Sequence, residues 1–218
     1  MIDFMELAAQ CAPQVHVTTL ASVVLHESGA NPYAVGVNGG VKLPRQPRNK
    51  AEAIATAEWL KANGYNFDGG LGQVNVRNLE WLGMSISDLF DPCANLRGAA
   101  IVLTDCYKRA SVHYEAGQPA LQAALSCYNT GNFSAGFSNG YVMKVAANAT
   151  LQVPALVPRT KDARAPVRLQ ASQPGERAAA SKTAKEIAPD DGMPDAFGKK
   201  KRDAFSEAAS KEAEGSVN

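Results

Sequence analysis

The sequence predicts a mainly α-helical domain followed by a charged, non-globular segment. Apolar residues recur at helical spacing in several stretches, and these stretches carry the start and stop signals of helices. No stretch shows the apolar–polar alternation that is typical of a half-buried strand. With 218 residues, the chain has room for one domain of ordinary size and an additional segment.

Three helices are indicated in the first part of the chain. Residues 4–11 repeat apolar side chains on one face. A second helix is expected to start with Thr18 or Thr19 as its cap and to stop at Gly29. The alanine-rich stretch 51–63 has high helix propensity. Loops are expected on either side of it, at 36–50 and 65–73.

The second part of the domain is expected to be helical as well. Asp91-Pro92 interrupts the chain before the longest periodic segment, about 95–114. Pro119, in a first-turn position, opens the next helix, and Gly131 ends it. Shorter helices are expected at 76–82, 86–90 and 141–148.

The composition changes near residue 150, where we place the end of the domain. Residues 151–158 contain two Val-Pro pairs and are expected to be a linker. Residues 159–218 carry 12 Lys and Arg and 10 Asp and Glu, but only two aromatic residues. Such a segment buries too little apolar surface to offset its ordering entropy, so 151–218 is predicted to be a linker and a disordered tail.

Charge and composition argue against a nucleic-acid-binding protein, an integral membrane protein and a metalloprotein. The net charge of +1 gives no electrostatic argument for nucleic acid as a partner. No apolar run approaches the roughly 20 residues that a transmembrane helix needs. The histidines and cysteines lack metal-ligand spacing, so neither a metal nor another cofactor is expected. The four cysteines permit two disulfides in three pairings, or four buried thiols: Cys11, Cys93, Cys106 and Cys127.

The second helix carries an unusually placed carboxylate. Leu20, Val23 and Val24 form its apolar stripe, and Glu27 occupies the next position of that stripe, in the last turn. Apolar neighbours and the negative end of the helix dipole both raise a carboxyl pKa. Glu27 is therefore a candidate general acid, the alternative being an ordinary solvated glutamate.

Five short motifs in this order resemble those of lysozyme-like lytic transglycosylases. They cover about residues 2–146 and are specific as a set rather than singly. The matching segments are His26-Glu27-Ser28-Gly29, Gly70-Leu71-Gly72-Gln73-Val74-Asn75, Asp91-Pro92-Cys93-Ala94-Asn95-Leu96, Ala124-Leu125-Ser126-Cys127-Tyr128-Asn129-Thr130-Gly131 and Tyr141-Val142 with Val145.

The resemblance implies a lysozyme-like helical fold and cleavage of the β-1,4 bond between N-acetylmuramic acid and N-acetylglucosamine in peptidoglycan, with a 1,6-anhydro product. It implies that Glu27 acts first as acid and then as base, and that Tyr141 borders it. Residues expected to bind the substrate are Ser28, Gln73, Asn75, Tyr128, Asn129 and Tyr141.

Two departures from the family pattern carry further expectations. Glu27 and Gln73 are 46 positions apart, and this long spacer resembles the lytic transglycosylases of VirB/Tra type IV secretion and conjugation systems. The glycan strand is then the substrate, and components of such a system are candidate partners of the tail. Gly72 stands where the family commonly has methionine, and we expect it to widen the floor of the groove.

Asp68 is the one candidate for a second carboxylate. If it activates water, the enzyme is a hydrolysing muramidase, for example a phage- or virion-associated one. The ordinary interpretation of Asp68 is a turn residue beside glycine. A third possibility is a catalytically silent wall-binding assembly factor, which the intact motifs disfavour. The substrate predicts a periplasmic location, although the N-terminus lacks the basic region of a secretory signal.

Overall fold

The computed structural model describes residues 3–150 and 165–169. The predicted disordered tail lies outside the described residues except for 165–169, and the predicted boundary near residue 150 stays a prediction. The helices are α1 Phe4–Cys11, α2 Val17–Ser28, α3 Lys50–Ala62, α4 Leu79–Leu82, α5 Pro92–Ala110, α6 Gln118–Thr130, α7 Ala135–Ser138 and α8 Tyr141–Ala147. The strands are β1 Val35–Val37, β2 Phe67–Gly69 and β3 Val74–Asn75, and single 3-10 turns cover Val76–Asn78, Ser87–Phe90 and Asn148–Thr150.

The helix termini follow local chemistry that the sequence shows only in part. α2 is not capped by Thr18 or Thr19 as predicted, because the ring Nδ1 of His16 accepts the Thr18 N–H at 3.3 Å. Its end is as expected, with Gly29 in the left-handed conformation at φ 58°. α5 begins three residues earlier than predicted, since the Asp91 carboxylate caps it by accepting the Ala94 N–H.

The mainly helical domain also contains a small antiparallel sheet, in the order β1-β2-β3, which the sequence did not indicate. Its strands are two or three residues long, too short for apolar–polar alternation to emerge from the sequence. In the register, Asp68 lies opposite Gly36 on one side and Asn75 on the other. The sheet therefore sets the position of Asp68 relative to the helices.

The core is built around α5, which packs along α6 and against α1. Its inward face combines leucines with small residues, which lets neighbouring backbones approach closely: Leu96, Ala99, Ala100, Leu103 and Cys106. Asn95 is a polar member of this face with no exposed surface. Its amide accepts the Gly72 N–H and donates to the carbonyls of Gly69 and Leu89, so it fixes the glycine-rich loop onto α5.

The expectation that Gly72 widens the groove is wrong. A Cβ at this position would lie 2.6 Å from the Ala99 Cβ and 3.0 Å from the Tyr128 hydroxyl, both on the core side of the loop. The missing side chain therefore allows the loop to pack closely on α5 and α6.

The four cysteines form two disulfides, one of the three pairings that the sequence permits. Cys11–Cys93 joins α1 to the start of α5 across 82 residues, and Cys106–Cys127 joins α5 to α6 across 21. Cys127 directly precedes Tyr128 and Asn129, so the second bond holds the end of α6 that carries two predicted site residues.

Candidate active site

Six polar side chains line a cleft of about 260 Å³. They come from the end of α2, the sheet and its loops, and the end of α6: Glu27, Asn38, Asn66, Asp68, Gln73 and Asn129. Four of them are amides and two are carboxyls. Such a lining offers hydrogen-bond donors and acceptors to a ligand rich in hydroxyl and N-acetyl groups.

Glu27 is half-buried at the end of α2, on the apolar stripe where the sequence placed it. Burial raises the pKa of its carboxyl to about 7. The hydrogen bond from Tyr141 acts in the opposite direction, and the negative charge of Asp68 adds to the increase. Near neutral pH both the acid and the carboxylate are populated, as a group that gives and then takes a proton requires.

Tyr141 opens α8 and holds Glu27. Its hydroxyl donates to Glu27 Oε1 at 2.6 Å, and its ring forms a T-shaped contact with the His26 ring, with centroids 4.9 Å apart. Burial and the charge of Glu27 raise the pKa of the Tyr141 phenol well above its usual value, so it remains a donor. The predicted neighbourhood of Glu27 and Tyr141 is thus present in the geometry.

The Tyr141→Phe variant should shift upward the pH dependence of a reaction in which Glu27 is the general acid. The lost hydrogen bond favours the carboxylate form, so its removal raises the pKa of Glu27 above about 7. A general acid is active when protonated, and the alkaline limb of the kcat/KM profile should therefore move to higher pH. The measurement is the cleavage of glycan, the substrate that the sequence motifs imply, across pH 5–9. An alkaline limb at the same pH in the variant would show that the hydrogen bond from Tyr141 does not affect the pKa of Glu27.

Asp68 lies in β2, so its interpretation as a turn residue is wrong. Each carboxylate oxygen accepts one side-chain amide, Oδ1 from Asn75 Nδ2 at 2.7 Å and Oδ2 from Asn38 Nδ2 at 2.8 Å. Burial nevertheless raises the pKa of Asp68 to about 6, against the lowering effect of both amides. The cleft therefore contains a second carboxyl with a raised pKa.

Gln73 reaches the cleft from a strained backbone position. Its φ of 47° is one of two positive values among the described non-glycine residues. Its Nε2 donates to the carbonyls of Ala34 and Gly70, which fixes the amide plane. A Cβ on Gly36 would lie 2.8 Å from Gln73 Oε1, so the glycine in β1 makes room for this amide.

Three predicted substrate-binding residues use their polar groups within the protein. The Ser28 hydroxyl contacts the carbonyls of Val24 and Leu71, and the Tyr128 hydroxyl donates to the Gly72 carbonyl at 2.6 Å. Asn75 has no exposed surface and donates to Asp68. These contacts hold the loop and Asp68 in place, and a direct contact of the three residues with sugar stays a prediction.

Asn129 lines the same cleft as Glu27, and its contact with sugar stays a prediction. Its Oδ1 accepts a hydrogen bond from Asn139 Nδ2 at 2.9 Å, and Asn139 in turn accepts the Tyr141 N–H. The two asparagines therefore connect the end of α6 to the start of α8.

Asn38 and Asn66 are cleft residues that the sequence analysis missed. The Asn38 N–H donates to the Asn66 carbonyl at 2.9 Å, which extends the β1–β2 pairing by one step and brings both side chains to the cleft. Neither belongs to a motif. Only recognition of the short β1–β2 pairing could have identified them. Within 3–150 and 165–169, no group of three or more His, Cys, Asp and Glu side chains could hold a metal ion.

The chain is similar to one family of proteins, both by a family model and by the relatives that match it. A family model described as the transglycosylase SLT domain matches residues 4–150. The type IV secretion system protein virB1 of Brucella suis biovar 1 (strain 1330) is 47% identical over 190 aligned residues, 81% of this chain and 79% of that protein. The protein virB1 of Agrobacterium fabrum is 38% identical over 163 residues, 74% of this chain and 65% of that protein. No solved structure matches the chain.

Proposed function

Because the chain belongs to the transglycosylase SLT family and is a lytic transglycosylase, we propose that it cleaves the β-1,4 bond between N-acetylmuramic acid and N-acetylglucosamine in peptidoglycan, with a 1,6-anhydro product. The observation that carries this proposal is Glu27 on the wall of a polar cleft, with a pKa raised to about 7 and a hydrogen bond from Tyr141.

In the first step, the protonated Glu27 donates its proton to the glycosidic oxygen. The bond from C1 of the muramoyl residue to that oxygen breaks, and the N-acetylglucosamine leaves with a free 4-hydroxyl. Positive charge develops at C1, and the carboxylates of Glu27 and Asp68 both lie in the cleft where that charge would be stabilised.

In the second step, Glu27 acts as a base. Its carboxylate takes the proton of the C6 hydroxyl of the same muramoyl residue, and the C6 oxygen bonds to C1. The ring closure consumes no water and returns Glu27 to its protonated form. Because nucleophile and electrophile belong to one sugar, proximity lowers the barrier, by roughly 7–11 kcal/mol in well-oriented cases.

Asp68 supports hydrolysis as a second candidate reaction. It lines the same cleft, and its pKa of about 6 leaves it mostly ionised at neutral pH. An ionised carboxylate could activate a water against C1 and yield a reducing end. Both oxygens of Asp68 already accept amide hydrogen bonds, which lowers their basicity and favours the one-carboxylate reaction.

Asp68→Asn distinguishes the two reactions. For the transglycosylase reaction we expect anhydro-muropeptides from wild type and variant alike, identified by mass spectrometry as lighter than reducing products by one water. The variant should also move the alkaline limb to lower pH, because the charge of Asp68 raises the pKa of Glu27. Reducing ends from the wild type, with their loss in Asp68→Asn, would instead assign the hydrolysing muramidase.

We further propose that the enzyme opens peptidoglycan locally for a type IV secretion machine, on the basis of its similarity to the virB1 proteins. That role requires the enzyme to reach the cell wall, outside the cytoplasm, and we propose the periplasm. Among the described helices, none is long and apolar enough to cross a membrane. Components of the machine are proposed partners of the C-terminal segment.

Deletion of residues 170–218 tests this partner role. We expect the deletion to abolish secretion and to leave glycan cleavage intact.

A further inference from the structure

A short segment beyond the family domain returns to its surface. The family match ends at residue 150, yet residues 165–169 contact α3. Val167 is only 4% exposed, and its backbone N–H donates to Thr56 Oγ1 at 2.7 Å. We refer to residues 165–169 as the α3 strap.

Thr56 is suited to receive this segment. It has no exposed surface, and its own hydroxyl proton goes to the Glu52 carbonyl one turn earlier in α3. The Oγ1 lone pairs therefore remain as an acceptor on the surface of the helix that the strap covers. Without the strap, this acceptor would lack the backbone donor that the structure gives it.

The side chains of the strap alternate as in an extended peptide. Val167 faces inward, Arg168 is exposed, and Leu169 packs partly buried against the core. The Arg168 guanidinium lies 5.9 Å from the centroid of the Trp59 ring on α3, and that ring stacks on Tyr65. The burial of Val167, the packing of Leu169 against the core, one backbone hydrogen bond and one cation–π contact therefore act together at a single surface.

We propose that the strap is a docking motif that binds α3 in cis and attaches the C-terminal segment to the enzyme at this surface. Residues 170–218 then start from α3 rather than from the end of the helical domain. Fourteen residues separate the strap from Thr150, so the tether gives the motif an effective concentration of the order of millimolar, at which weak contacts persist. The occupant of the α3 surface is this chain's own Val-Arg-Leu sequence.

The test follows the two tryptophan indole signals of the full-length chain by NMR. Trp59 lies under Arg168, whereas Trp81 on α4 is an internal reference. In Val167→Asp, a carboxylate at a buried position should release the strap, shift the Trp59 indole and leave Trp81 in place. Thr56→Val, which removes the acceptor at nearly constant volume, should reduce the exchange protection of the Val167 amide more than about tenfold. The matched control is Val112→Asp, at a valine that is 78% exposed.

A peptide added in trans completes the test. A synthetic peptide of residues 163–171 should shift the Trp59 indole of the Val167→Asp chain back toward the wild-type position, and should leave the wild-type chain unchanged because its surface is filled. An identical Trp59 signal in the wild type and in Val167→Asp would overturn the proposal. So would a wild-type signal that changes on dilution together with the molecular mass, because the strap would then come from a second copy. Neither readout depends on glycan cleavage, so the test is independent of the proposed reaction.

Discussion

Glu27→Gln is expected to reduce glycan cleavage by roughly 10³-fold or more, within the range of losses seen for a general acid–base group. Glutamine keeps the shape of the side chain, and its Oε1 can still accept the Tyr141 hydroxyl, but it carries no proton for the glycosidic oxygen. In the proposed reaction one carboxyl serves both steps, so no other group replaces it. Clearing of peptidoglycan suspensions and the release of soluble muropeptides measure the loss.

The same variant should be more stable than the wild type at alkaline pH. The pKa of Glu27 is raised from 4.5 to about 7 in the folded chain, so folding favours the protonated form. The wild type therefore loses stability as the pH rises from 4.5 to about 7, and the loss is complete above that range. It is on the order of 3 kcal/mol, and the uncharged amide of the variant does not incur it. Unfolding in urea at pH 4 and pH 8 should show equal stabilities at the lower pH and a more stable variant at the higher pH.

Glu58→Gln on the exposed side of α3 is the matched control for charge removal. It should leave cleavage unchanged and should not reproduce the pH-dependent gain in stability. A Glu27→Gln enzyme that keeps most of its activity would remove Glu27 from the reaction. A variant that is inactive but less stable than the wild type at pH 8 would mean that its inactivity reflects damage to the fold.

The helices could be predicted because their signals are local. The spacing of Leu20, Val23 and Val24 showed which face of α2 is buried, and Glu27 on that face is half-buried in the structure. The sheet could not be predicted, because β1 lies far from β2 and β3 in the chain and all three strands are too short to show a period. Asp68 therefore resembled a turn residue in the sequence, although cross-strand pairing places it in the cleft.

The site motifs could be recognised in the sequence. The sequence did not show which of their side chains line the cleft and which form hydrogen bonds within the protein. Gln73 and Asn129 line the cleft, whereas the side chains of Tyr128 and Asn75 bond inward, to the Gly72 carbonyl and to Asp68. The direction of a side chain beside a glycine-rich loop depends on backbone angles such as the positive φ of Gln73. Tertiary contacts set those angles, and a sequence read in isolation does not contain them.

Removal of the Cys11–Cys93 disulfide is expected to have the largest effect on stability. In the chain-entropy model, a cross-link across 82 residues destabilises the unfolded state by about 4.5 kcal/mol, whereas one across 21 residues contributes about 3 kcal/mol. The double variant Cys11→Ala/Cys93→Ala should therefore lose more free energy of unfolding in urea than Cys106→Ala/Cys127→Ala. Its Tm should fall by about 10 °C or more.

The two variants should rank in the opposite order for activity. Cys11–Cys93 joins α1 to the start of α5, and neither end carries a cleft residue. Cys106–Cys127 holds the end of α6, where Asn129 lines the cleft and Tyr128 binds the loop that carries Gln73. Well below the transition temperature, Cys106→Ala/Cys127→Ala should show the larger rise in KM, while Cys11→Ala/Cys93→Ala should cleave glycan nearly as well as the wild type. Reduction of the wild type by dithiothreitol should combine both effects, because the cross-links act on different parts of the chain. The prediction is contradicted if the same double variant shows both the larger loss of free energy of unfolding and the larger rise in KM.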